Sequence, residues 1–112
     1  MAPEVIAGSG YSTASDWWSF GCQLYEMLTN TLPFRGTGSG ETYKRELFKC
    51  ILEKEPKYNM QGLTKNSVDL FRKLFVKNPE KRLGTAGAHE IMEHPYFSGL
   101  SWKYLKMKKP IL

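Results

Sequence analysis

A mainly α-helical fold is predicted from three observations. Apolar residues recur at helical spacing in three separate segments. No segment alternates apolar and polar residues as a half-buried strand does, and cap residues and prolines bound the periodic stretches. The composition permits such a domain: of 112 residues, 41% are hydrophobic and 24% charged, the balance of a globular chain rather than a disordered one. No apolar run approaches the roughly 18 residues of a membrane span. The start, Met1-Ala2-Pro3-Glu4-Val5-Ile6-Ala7-Gly8, has neither the basic region nor the long apolar core of a signal peptide.

The first helix is predicted over residues 16–28. Ser12, Thr13, Ser15 and Asp16 offer N-caps and Asn30 closes it. Trp17, Trp18, Phe20, Cys22, Leu24, Tyr25, Met27 and Leu28, placed at 100° per residue, cover nearly its whole circumference, so the helix should be enclosed on every side. Leu32-Pro33-Phe34-Arg35 follows, then Gly36-Thr37-Gly38-Ser39-Gly40, which reads as a flexible linker. A phosphate cradle would need a preceding strand and G-x-G-x-x-G spacing, and this run has neither. A second helix is predicted over 41–53, with Leu47, Phe48, Ile51 and Leu52 on one face and Lys44, Arg45, Lys49 and Glu53 outside; Pro56 ends it. A third, over 65–76, is N-capped by Thr64 and carries Val68, Phe71, Leu74 and Phe75 at helical spacing. A short fourth piece over 88–93 stops at His94-Pro95.

The net charge of +5 is unevenly distributed. From His94 to Leu112 there are four lysines and no acid, whereas the first 93 residues hold 12 basic and 11 acidic side chains. A near-neutral body with a basic tail argues against a whole-domain nucleic-acid surface. In the tail, Trp102, Tyr104, Leu105 and Met107 interleave with Lys103, Lys106, Lys108 and Lys109, a pattern that favours a strap over a protein surface, apolar side down. Cys22 and Cys50 are too few for a disulfide scaffold and lack zinc-ligand spacing, so buried thiols in an intracellular, cytoplasmic chain are expected. His89 and His94 are five apart, about 140° around a helix. One zinc ion needs them four apart, so no metal site is expected. Glu4 and Arg82, taken alone, read as surface charges.

Taken in order, several segments resemble the C-terminal lobe of a eukaryotic protein kinase. Met1-Ala2-Pro3-Glu4 resembles the A-P-E motif that closes the activation segment. Asp16-Trp17-Trp18-Ser19-Phe20-Gly21 resembles the D-x-W-x-x-G opening of the central helix F. Asn78-Pro79-Glu80-Lys81-Arg82-Leu83-Gly84 resembles the arginine motif between helices H and I, and His94-Pro95-Tyr96-Phe97 follows in register. Within kinases, Asp16-Trp17-Trp18, Leu32-Pro33-Phe34, Arg82-Leu83-Gly84 and the Ser101-Trp102 start of a lysine-rich tail are similar to the AGC group of serine/threonine kinases.

The resemblance implies an incomplete kinase-like fold, helices F to I over residues 1–97, with the start of the AGC tail over 98–112. It implies that Glu4 pairs with Arg82 and locks the activation segment to the helical lobe. Asp16 would hold the catalytic-loop backbone, with Trp18 and Gly21 packing helix F. Glu26 would meet an arginine of a basic substrate, and Met1 would line the pocket for the residue after the phosphoacceptor. The parent enzyme would use ATP and Mg²⁺ to phosphorylate Ser/Thr. This chain spells no V-A-I-K, no H-R-D-x-x-x-x-N and no D-F-G. Those elements hold nucleotide and metal, so the chain is expected to be inactive without the missing N-lobe and catalytic loop, and to look cut at both ends. The competing expectation is a non-catalytic binding module that docks a protein through helix G (Leu47, Phe48, Ile51, Leu52) and the basic tail. Nucleic-acid binding by the tail ranks last.

Overall fold

The computed structural model describes residues 1–98, so the tail strap and nearly all of the 98–112 segment lie outside the described residues. Five α-helices are described: α1 (Pro3–Ile6), α2 (Thr13–Thr29), α3 (Gly40–Glu53), α4 (Lys65–Leu74) and α5 (His89–Met92). Two 3₁₀ turns, Pro79–Lys81 and Pro95–Phe97, flank α5, and there is no strand among the described residues. None of the described helices is long and apolar enough to cross a membrane.

Local chemistry sets these boundaries. Pro3 supplies the fixed φ that starts α1. α2 stops at Asn30, whose φ of 61° is left-handed and whose N–H still bonds the Glu26 carbonyl at 2.8 Å. Asn tolerates that conformation better than most residues. α4 is capped by Thr64, whose hydroxyl accepts from the Ser67 N–H while Ser67 Oγ accepts from the Thr64 N–H. It ends two residues short of the predicted 76, where Phe75 leaves helical geometry at φ −97° and ψ 24°, and the carbonyls of Val76 and Lys77 beyond it accept hydrogen bonds from Arg82. The run from Gly36 to Gly40 is less a linker than expected. Ser39 is the N-cap of α3, and Gly36 is approached so closely by the Tyr43 carbonyl that any Cβ there would collide with it.

Two apolar clusters share α2 and α4. The first gathers Trp18, Tyr25, Phe34, Ile51, Phe71 and Phe75; the second gathers Leu70, Leu74, Ile91 and Phe97, and Leu24 packs against both. Phe34 stacks on Trp18, with centroids 5.3 Å apart, and Phe75 meets both rings edge-on. α2 is therefore not enclosed all round, as its composition suggested. Asp16, Ser19, Gln23, Glu26 and Met27 form an outward stripe, with Met27 79% exposed. The polar members of that stripe fall at helical spacing between the apolar ones, so two packed faces are enough.

His94 anchors the last turn. Its Nδ1 accepts from the Tyr96 N–H at 3.0 Å and its Nε2 lies 2.7 Å from Asp69 Oδ2. With Nδ1 an acceptor, Nε2 carries the proton given to Asp69.

Candidate functional site

The site is built outward from α1. Its first turn turns Glu4 inward, and the segment after α4 returns Arg82 to meet it, 78 positions later in the chain. Arg82 Nη1 lies 2.8 Å from Glu4 Oε2 and Nη2 lies 2.9 Å from Oε1, a two-point fork between buried side chains. The remaining donors are also used. Nε bonds the Val76 carbonyl, Nη1 the Ala14 carbonyl and Nη2 the Lys77 carbonyl. All five guanidinium N–H groups thus have acceptors, which offsets the desolvation of the charge. The surface-charge reading of these two residues is overturned, because neither side chain keeps a hydration shell.

Ser15 completes the arrangement, donating to Glu4 Oε2 at 2.7 Å. Burial would raise the Glu4 pKa, but the hydrogen bonds from Arg82 and Ser15 outweigh it and hold the carboxyl at about 2. Ser15 was invisible in the sequence among several serines offered as caps. Its position at the third residue of α2, facing α1, is a tertiary fact.

Trp18 is fully buried beneath this pair. The Arg82 guanidinium carbon lies 4.9 Å from its ring centroid and Lys77 Nζ lies 5.5 Å from it. Lys77 was also missed. Its ammonium donates to the Lys54 carbonyl at 2.5 Å and sits 5.1 Å from the Phe34 ring, and burial pushes its pKa down. Gly21 lies one turn along α2, where a Cβ would stand 3.0 Å from Phe75 Cε1 and 3.2 Å from Leu74 Cβ. The close approach of α2 to the end of α4 depends on its missing side chain.

The structure brings Glu4, Arg82, Trp18 and Gly21 into one continuous packed region and leaves the other named residues at its surface. Asp16 lies exposed in the first turn of α2, its carboxylate making no hydrogen bond or ion pair among the described residues. Glu26 is likewise exposed on the outer stripe, with no ion pair among the described residues. Met1 is 54% exposed and helps line an apolar cavity of about 180 Å³ with Trp18, Cys22, Leu47 and Ile51. The two thiols expected to be buried, Cys22 and Cys50, are free and only half-buried, and desolvation raises the Cys22 pKa to about 11.

The four-residue docking face on α3 needs correction. Ile51 is 4% exposed and belongs to the first cluster, and Leu47 packs against that cluster. The groups one position further round differ: Leu52 is 42% exposed, and Phe48 is half-buried with Lys44 near its ring. The periodicity located an apolar stripe, but the inner half of it is spent on the fold. Among the described residues, no three His, Cys, Asp or Glu side chains are grouped to hold a metal ion.

Residues 1–97 match the family described as the protein kinase domain. Over 111 residues the chain is 40% identical to "Serine/threonine-protein kinase WAG2" of Arabidopsis thaliana, an overlap covering 98% of this chain and 22% of that protein. It is 43% identical over 108 residues to "Serine/threonine-protein kinase YPK1" of Saccharomyces cerevisiae, covering 96% of this chain and 15% of the relative. With "Flippase kinase 1" of the same yeast it shares 40% identity over 114 residues, 100% of this chain and 12% of the relative. The chain spans less than a quarter of the length of these three relatives.

Proposed function

The chain belongs to the protein kinases, in the AGC-type serine/threonine group, and from that membership we propose that it is the helical C-lobe portion of a kinase that phosphorylates Ser/Thr in basic substrates. On this reading residues 1–97 are the lobe and 98–112 begin the AGC tail. The observation that carries it is the buried fork between Glu4 and Arg82, which ties an A-P-E-like segment to the helical body. Glu4 and Arg82 hold the end of the activation segment. Asp16, exposed at the start of α2, is left open to receive the catalytic-loop backbone, and Trp18 and Gly21 fix the helix that presents it.

Substrate recognition falls to the surface residues. The exposed carboxylate of Glu26, without an ion pair among the described residues, suits an arginine upstream of the phosphoacceptor. Met1, over its apolar cavity, suits the side chain that follows the phosphoacceptor.

ATP and Mg²⁺ are assigned to the whole kinase. The residues present here do not fit them, since the described acidic groups do not converge and the H-R-D and D-F-G sequences are absent from the chain.

The test has two arms. The 112-residue chain with Mg-ATP and an arginine-containing peptide is expected to give no turnover; phosphate transfer by it alone would sink the assignment. In the full-length kinase, Glu26→Gln is expected to raise KM for that peptide about tenfold, a loss of about 1.4 kcal/mol, with kcat little changed. An unchanged KM removes Glu26 from the substrate site.

A further inference from the structure

A second cavity, of about 220 Å³, opens between the C-terminal end of α2, the Leu32-Pro33-Phe34 turn and the far end of α3. Its apolar lining includes Leu32, Pro33, Cys50 and Met60, beside the buried rings of Tyr25 and Phe34. The Tyr25 hydroxyl is already committed, donating to the Lys57 carbonyl at 2.6 Å, and the residue is only 2% exposed, so it offers a guest no free donor. Three exposed cations, Arg35, Lys54 and Lys57, line the mouth against a single carboxylate, Glu55. Glu55 has a counter-charge beside it, with Lys77 Nζ at 3.9 Å. The result is an apolar floor under a net cationic rim.

We infer that this cavity binds a small organic anion, one or two rings joined to a carboxylate, with the rings on the apolar wall and the carboxylate among Arg35, Lys54 and Lys57. Size and charge both select this class. Drug-sized sites begin at about 300 Å³, so this cavity takes a fragment. A guanidinium pairs with a carboxylate better than with any neutral group of the same shape. Rings packed against Leu32, Pro33 and Met60 supply the apolar area that a bare inorganic ion lacks.

The probe is naphthoate, titrated into the 112-residue chain while the Met60 methyl resonance is followed by NMR. Saturable binding with Kd of about 1 mM is expected for a ligand of this size, weakening as salt is raised. Naphthylmethylamine, with the same rings and the opposite charge, should bind at least about tenfold more weakly. The double variant Arg35→Glu/Lys57→Glu replaces two exposed side chains and leaves the core untouched; it should weaken naphthoate by at least about tenfold. The inference is overturned by a Met60 resonance that does not move up to roughly 10 mM naphthoate. Equal affinity for the amine, or unchanged affinity in the double variant, overturns it as well.

Discussion

Glu4 is the residue whose chemistry is most sharply defined by its surroundings. Its ordinary pKa of 4.5 falls to about 2 in the folded chain. A carboxyl with a depressed folded pKa stabilises the fold fully above its unfolded value, and that contribution is lost as pH falls through the folded one. Between about pH 4.5 and 2 the protein should therefore lose on the order of 3 kcal/mol from this group alone. Glu4→Gln should cost about 3–5 kcal/mol at neutral pH, because it leaves the Arg82 charge buried and uncompensated. The Glu4→Gln/Arg82→Met double variant should cost less than the sum of the two single changes. Urea denaturation across that pH range checks both: the gap between wild type and Glu4→Gln should close as pH falls, and a constant gap would refute the assignment. The pairing was legible only through the motif order, since nothing local to Glu4 or Arg82 distinguishes them from surface charges. Ser15 and Lys77, which finish the environment, carry no signal in the sequence.

At the level of elements, helix ends differ in how they are held. Thr64 accepts a side-chain hydrogen bond from the Ser67 N–H, while Ser39, the N-cap of α3, makes no such bond. Thr64→Ala should lower stability by about 1 kcal/mol, and Ser39→Ala by a few tenths at most. Thermal unfolding of the two variants separates them, and equal losses would mean the cap bond contributes nothing. The three longer helices were readable from period and caps to within about three residues, which is the ordinary uncertainty of boundaries. α1 and the two 3₁₀ turns were not, because three or four residues cannot display a helical period. Each of them does begin with proline at its first position, Pro3, Pro79 and Pro95, and that is their one local mark in the sequence. The outer stripe of α2 was misread because counting apolar residues around the wheel ignores the polar ones interleaved with them.

For the molecule as a whole, the arrangement of the two apolar clusters decides how it unfolds. Phe71 and Phe75 belong to one cluster and Leu70 and Leu74 to the other, so neither can dissolve without disturbing the same stretch of α4. Leu74→Ala should cost about 2–5 kcal/mol, and tryptophan fluorescence and far-UV circular dichroism should still report one shared midpoint. Separate midpoints would mean that the clusters unfold independently. The helical class was legible from pattern alone. The division into two clusters was not, since which face of α4 meets which neighbour depends on the path of the chain between helices. The fork between Glu4 and Arg82 has a further consequence, for the order of events in time. It joins groups 78 positions apart, and closing a loop of that length costs about 4 kcal/mol of chain entropy beyond a constant. The helices form from near neighbours, so the fork is expected to be made late, after the rate-limiting barrier. Breaking it by substitution should then leave the refolding rate nearly unchanged and speed unfolding. The ion pair would then act as a latch on the finished fold, and stopped-flow folding of Glu4→Gln, with refolding slowed as much as unfolding is sped, would refute that role.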